Sequence, residues 1–404
     1  MVFLARFVFL IGLTFTVLTG SWSGALAEVR FQVNAKSAAL FDCNTEQFLL
    51  EQNGDEKIEP ASFTKLMTLY LAQDGLKDGI ITLDDQVLVS RKAWTTGGSK
   101  MFIEVGKRVG LEDLLKGIAV VSGNDACVAL AEHLAGREEV FVGDMNRKSE
   151  KLGFINTVFK TPHGLPAEGQ FTTAHDMALL AGHYIKDYPH VLNLHSIIEF
   201  TYNNITQPNR NRLLKLDEGV DGLKTGYIET AGYHLVATAQ KEERRLIAVV
   251  MGTASWDDRE NEALKLLNYG FRNFVIKEVF KKGDIVKSVS VKGGKDNSVD
   301  LIAHDKVIVS VSRQDKNALK LVENISSQVV APVRKGEILG KIIVTVGGEN
   351  LHQVNLLAKE EVPKGWQAYW RFGVVILGIL GLAFILQRIV KRRKSKKGYT
   401  IPTL

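Results

Sequence analysis

The sequence predicts a mixed α/β body built on an antiparallel sheet flanked by helices, followed by a small all-β module and one membrane-crossing helix. Three observations carry that expectation. Between residues 28 and 275, helical periods alternate with strand segments at hairpin spacing. From 276 to 363, β-rich stretches with glycine pairs at their turns replace the helices. From residue 372 the chain is almost wholly apolar over the width of a bilayer.

At 404 residues there is room for two or three domains. Apolar residues make up 45% and charged residues 24%, a globular balance that excludes a disordered chain. The formal charge of +6 sits at the ends: Arg6 is alone before residue 28, and seven bases with no acid follow residue 371. Residues 28–371 hold 43 bases against 45 acids, so charge offers no argument for a nucleic-acid partner. Cys43 and Cys127 are too few for a disulfide framework and read as small core residues.

Both ends address a membrane. Phe3 to Leu18 is almost wholly apolar and leads, past Ser21, Ser23 and Gly24, to Ala25-Leu26-Ala27. That is the form of a secretory signal cleaved after Ala27; an uncleaved amino-terminal anchor is the other reading. At the far end, Trp366, Tyr369 and Trp370 precede Phe372–Leu386, which has no polar residue, and Ile389 and Val390 prolong the run. Those nineteen residues reach roughly 28 Å as a helix, close to a hydrocarbon core. The basic cluster Lys391-Arg392-Arg393-Lys394, with Lys396-Lys397, stays on the cytoplasmic side. The expected layout is a signal peptide over 1–27, an exported α/β domain over 28–275, a β domain over 276–363, an anchor over 366–390 and a cytoplasmic tail over 391–404.

Within the body, Ser37–Asp42 and Gln47–Glu51 read as a hairpin turning at Cys43-Asn44-Thr45. Pro60 and Ser62 are helix-start residues, and Leu66, Met67, Leu69 and Tyr70 give that helix a buried face. Residues 76–110 read as loops and short strands. A helical period runs from Leu111 to Val121, breaks at Ser122-Gly123-Asn124 and resumes over Asp125–Leu134. Further helices are expected over Val140–Leu152, over Ala174–Tyr188 with Thr172 or Thr173 as cap, and over Asp257–Phe274. Tyr233–Gln240 and Leu246–Gly252 form another hairpin. Val286–Val291, Val307–Val311, Lys341–Val346 and Gln353–Leu357 are the expected strands of the second module.

Three strings carry residue types that do chemistry. Ser62 and Lys65, three apart, rise from one helix face, and a lysine removed from water can serve as the base a serine hydroxyl needs. Ser122-Gly123-Asn124 presents a hydroxyl and a carboxamide from a turn between helices, or simply caps the second helix. Lys224-Thr225-Gly226 offers a cation, a hydroxyl and a residue with no side chain on a strand, where a ligand can approach closely; an ordinary strand lysine before a turn is the plain alternative.

In that order the three strings form the signature of serine penicillin-recognising enzymes. The chain closely resembles the low-molecular-weight penicillin-binding proteins that are D-alanyl-D-alanine carboxypeptidases. The resemblance extends to Pro60–Lys65, Ser122–Cys127, His163-Gly164-Leu165, Asn209-Arg210-Asn211 and Val220–Gly226, and covers about residues 30–275. It implies the penicillin-binding, β-lactamase-like catalytic fold. It also implies Ser62 as nucleophile toward the terminal D-Ala-D-Ala bond of peptidoglycan stem peptides, Lys65 as base and Ser122 as proton relay. Asn124 would hold the substrate amide, and Lys224, Thr225, Gly226 and Arg259 would line the substrate site, the arginine orienting a carboxylate. The backbone N–H groups of Ser62 and Tyr227 would form the oxyanion site. β-Lactams would be covalent inhibitors, and no metal or cofactor is implied. Relatives often carry His where this chain has Tyr227, and end in an amphipathic helix where this chain reads as a full span.

Other readings are a D,D-endopeptidase or weak β-lactamase of the same fold, or a non-catalytic peptidoglycan-binding scaffold. For the β-lactamase, Glu168 is the nearby candidate to drive water. There is no Gly-x-Ser-x-Gly for a Ser-His-Asp hydrolase, no His-Glu-x-x-His for a metallopeptidase and no Gly-x-Gly for nucleotide chemistry.

Overall fold

The computed structural model describes residues 31–216 and 219–396. The signal-peptide segment 1–27 and the last eight residues of the basic tail lie outside that range. A five-stranded antiparallel sheet runs in the order Gln47–Gln52, Ser37–Asp42, Arg244–Thr253, Gly232–Lys241, Val220–Ile228. The expected hairpins supply four of its five strands, joined where Ser37–Asp42 pairs with Arg244–Thr253, and Val220–Ile228 adds the fifth beside Gly232–Lys241.

Helices cover both faces because neighbouring residues of a strand point opposite ways. An added Cβ at Gly270, on the Trp256–Asn273 helix, would meet Leu40; at Gly182, on the Ala174–Asp187 helix, it would meet Phe41. Each glycine lets its helix lie close to the sheet. Thr173 caps the second of these helices, accepting from Asp176 N at 3.0 Å. The helix Thr64–Lys77 has ten of fourteen residues buried, including the polar Thr64, Lys65, Thr68 and Gln73 beside its apolar face.

Three boundaries differ from expectation. Ser62 does not start an α-helix: Ala61–Phe63 is a 3₁₀ turn, and the α-helix begins at Thr64. Asn124 is the first residue of its helix and Gly123 the cap. The last catalytic-domain helix ends at Asn273, and the strand Phe274–Phe280 begins at once. The sequence reading also missed the hairpin Glu199–Tyr202/Ile205–Pro208, and residues 76–110 include a short helix, Arg91–Thr95, besides the paired strands Gln86–Leu88 and Arg108–Gly110.

The second module has its own core, around Val291, Leu301, Val309, Ile342, Val344 and Leu356. A buried ion pair ties it to the first. Asp42, fully buried, accepts from Arg244 Nε at 2.9 Å and from Ser310 Oγ at 2.6 Å, while Arg244 Nη1 donates to Phe274 O at 2.8 Å. Arg244→Ala would strand a buried carboxylate, so it is expected to cost about 3–5 kcal/mol, read as a lower midpoint in thermal unfolding. The chain ends in the helix Gln367–Lys396, in which Gly373–Arg392 is long and apolar enough to cross a membrane.

Candidate active site

Ser62 sits on the 3₁₀ turn, and Lys65 reaches back from the first turn of the following helix. Lys65 Nζ donates to Ser62 Oγ at 2.8 Å and to His163 O at 2.6 Å. Lys65 has no solvent exposure, and no carboxylate forms an ion pair with it among the described residues. Burial without a counter-ion lowers its pKa from 10.5 to about 8. Ser122 Oγ donates to Ser62 Oγ at 3.0 Å. Ser122 holds φ at +63°, a conformation L residues seldom adopt, and this aims its hydroxyl from the inter-helix turn.

The loop Thr161–Leu165 cradles this turn. Its carbonyls at Pro162 and His163 take the Thr68 hydroxyl (2.6 Å) and the Lys65 ammonium. Gly164 has φ +86°, and a Cβ there would lie 1.8 Å from Ala61 O. Gly164→Ala is therefore expected to displace the Ser62 turn and slow penicillin acylation by about a hundred-fold, measured as the rate of adduct formation by mass spectrometry.

Asn124 Nδ2 donates to Gly97 O at 2.7 Å, which fixes the carboxamide at the cleft wall. Beside it, Asp125 holds the opposite rim: its carboxylate accepts from the backbone N–H groups of Met101 (2.9 Å), Phe102 (3.0 Å) and Ile103 (3.3 Å). Asp125 lies within the Ser122–Cys127 string, whose spacing gives no sign of these long-range bonds. Cys127, fully buried, is a free thiol whose pKa burial pushes up to about 12, so it is a core residue as expected. Cys43 is free and half-buried, packed at the core's margin.

Val220–Ile228 is the sheet's edge strand, and it forms the other wall. A Cβ on Gly226 would come within 3.1 Å of Ala61 Cβ, so glycine lets this strand run against the Ser62 turn. Lys224 is buried, with Nζ donating to Thr225 O at 3.1 Å; burial and the nearby Lys65 charge hold its proton affinity well below the ordinary lysine value. Asn209 and Asn211 act as clamps. Asn209 Nδ2 donates to Ile197 O at 2.8 Å, and Asn211 Nδ2 to Gly222 O at 3.0 Å, the latter bracing the edge strand.

The third wall is the start of the Trp256–Asn273 helix. Arg259 is 6% exposed; its Nη2 donates to Arg210 O at 3.2 Å and its Nε has no partner among the described residues. Glu260, 3.7 Å away, is already taken by Arg212, whose Nε lies 2.9 Å and 3.1 Å from its two oxygens. Arg259 thus keeps positive charge in excess, above the Tyr233 ring, and Tyr233 lies against Tyr227 at 4.4 Å.

Between these walls lies a cleft of about 950 Å³. Ser62, Ser122, Asn124, Thr225, Gly226, Tyr227 and Arg259 line it, and Lys65 and Lys224 lie beneath its floor. Among the described lining residues there are cations at Arg210, Arg212, Lys215 and Arg259 and no carboxylate, a lining that suits an anionic ligand. Glu168 is exposed and does not line it. All nine residues singled out in the sequence therefore converge on one cleft.

A sheet between helical layers, with a buried lysine against a serine and an edge strand opposite, is the architecture of the serine penicillin-recognising enzymes. The chain belongs to the D-alanyl-D-alanine carboxypeptidase family, whose profile matches residues 24–255, and the penicillin-binding protein 5 C-terminal domain matches residues 274–364. The D-alanyl-D-alanine carboxypeptidase DacC of Escherichia coli is 42% identical over 341 residues, covering 82% of this chain and 85% of that protein. The crystal structure of penicillin-binding protein 5 from Haemophilus influenzae superposes with a TM-score of 0.77 at 38% identity, covering 83% of this chain and 99% of that one. Penicillin-binding protein D2 from Listeria monocytogenes, solved in its ampicillin-bound form, is 29% identical with a TM-score of 0.56, covering 60% of this chain and 99% of that one.

Proposed function

We propose that this protein releases the terminal D-alanine from peptidoglycan stem pentapeptides by way of an acyl-enzyme on Ser62. The observation that carries the reading is Lys65: a buried amine, unpaired with any carboxylate among the described residues, 2.8 Å from the serine oxygen. Neutral Lys65 takes the Ser62 proton as Oγ attacks the carbonyl between the two D-alanines. The oxyanion forms against the N–H groups of Ser62 and Tyr227, adjacent because Gly226 packs on the Ser62 turn. Ser122, hydrogen-bonded to Ser62, relays the proton taken up by Lys65 to the departing amine, and D-alanine leaves as Lys65 returns to its neutral form. Water then attacks the ester, restoring Ser62 and freeing the shortened stem.

Asn124 holds the substrate amide, Lys224 supplies positive potential beneath it, and Thr225 and Arg259 take the terminal carboxylate. β-Lactams, one of which occupies the Listeria relative, acylate the same serine. The Gly373–Arg392 helix anchors the chain in the bacterial inner membrane, with the catalytic domain on the outer face and the basic tail inside.

Intact-protein mass spectrometry with benzylpenicillin tests the assignment. One adduct is expected on the parent chain and none on Ser62→Ala; a folded parent that takes no adduct would favour the non-catalytic scaffold. Release of D-alanine from a stem pentapeptide then checks the substrate.

A further inference from the structure

We infer that the anchor-proximal tip of the β module docks on anionic lipid headgroups, so that the exported body stands as a rigid post on the membrane. The inference rests on the anchor reading above.

The chain has no slack between module and helix. Gly365 N donates to Gly293 O at 2.9 Å and Lys295 N to Pro363 O at 2.8 Å, while Gly294 and Lys364 form an isolated β-bridge. Gly365 is buried, and a Cβ on it would come 2.6 Å from Gly294 O, so the contact is tight. The helix begins at Gln367.

From Gly365 to Gly373, where the apolar span starts, is eight residues, about 12 Å at the helical rise. A headgroup layer is roughly 5–7 Å deep. The tip at 292–297 is therefore carried to within a lysine side chain's reach of the lipid phosphates.

Its chemistry fits that position. Lys292, Lys295 and Lys364 are exposed, and among the described residues none of their ammonium groups has an ion-pair or hydrogen-bond partner. Asp296 is the one acid within 291–297 and 363–366. Val330 and Trp366 flank the lysines, exposed by 70% and 76%; Val330 adjoins Ala331, whose N donates to Lys292 O at 3.0 Å. Three cations and two apolar side chains at the foot of a membrane helix match an interfacial surface. At the module's other end, the Asp42–Arg244–Ser310 cluster locks it to the catalytic domain. Docking at one end and this lock at the other hold the cleft at a set height above the bilayer.

The test places a spin label at Asn297→Cys in the full chain, on a Cys43→Ala background, in nanodiscs of phosphatidylcholine with or without phosphatidylglycerol. Oxygen and nickel accessibilities report the depth of the label. Headgroup depth is expected in discs containing phosphatidylglycerol. The triple variant Lys292→Glu, Lys295→Glu, Lys364→Glu is expected to move the label into bulk water, since each lysine favours the anionic surface about five-fold. The milder triple Lys→Gln variant repeats the comparison should the charge reversal disturb folding. A label in bulk water on every disc, as when the tip meets the cell wall or another protein, would overturn docking while leaving the anchor standing. Unchanged depth in both triple variants would overturn the role of the lysines. Failure of the chain to enter discs at all would overturn the anchor reading on which the inference rests.

Discussion

Lys65→Ala is expected to slow acylation of Ser62 by about a thousand-fold or more, because a positioned general base contributes 10²–10⁴-fold and here also fixes the serine rotamer through a 2.8 Å hydrogen bond. Lys65→Arg should fail nearly as badly, since a guanidinium keeps the charge but cannot accept the proton. This pair of variants separates basicity from electrostatics. The pH profile is the companion measurement. With its pKa lowered to about 8, Lys65 loses its proton as pH rises through that value. The neutral fraction, and with it the second-order rate constant for penicillin acylation, is expected to grow about ten-fold between pH 7 and 9 and then level off. The sign for stability follows: between about 8 and 10.5 the unfolded state binds more protons at this lysine than the native state, so this residue's contribution improves with pH in that window. A profile flat across pH 7–9 would remove Lys65 from the role of base.

Arg259→Gln is expected to lower kcat/KM for a stem pentapeptide by about ten- to a hundred-fold, the equivalent of one charge-assisted hydrogen bond at about 1.5–3 kcal/mol. Glu260 keeps Arg212 as its partner in the variant, so no buried carboxylate is orphaned and the fold should hold. The control is a pentapeptide amidated at its carboxy terminus. If Arg259 binds the carboxylate, the amide is a poor substrate for the parent and is hardly affected further by the substitution. An equal loss on both substrates would instead mean that Arg259 supports the wall through Arg210 O.

Local features were readable from the chain itself. The three-residue spacing of Ser62 and Lys65 brings them together whether the turn is 3₁₀ or α, so misplacing the helix start did not misplace the pair. Hairpin spacing likewise identified the paired strands at 37–51 and 233–252, since turn length sets register. The terminal apolar helix was legible because Phe372–Leu386 runs without a polar residue and Ile389 and Val390 prolong it.

Residues whose work is at a distance were harder to read. Asp125 looks like a carboxylate in a first helical turn, yet its oxygens bind backbone more than twenty residues earlier. Asn209 and Asn211 look like loop residues and prove to be clamps. The hairpin 199–208 gave no clear signal, being only two four-residue strands with mixed polar faces.

The family, the serine–lysine pair and the strand lysine are legible in the chain because each is written in short-range spacing or periodicity. Packing, and not spacing, makes Lys65 a buried amine of lowered pKa. That depends on burial and on the His163 carbonyl, 98 residues away, which hydrogen-bonds the amine without neutralising it. The tertiary structure also brought Ser122, Gly226 and Arg259 to one cleft, since desolvation and convergence belong to the packed chain and have no counterpart in any window of sequence.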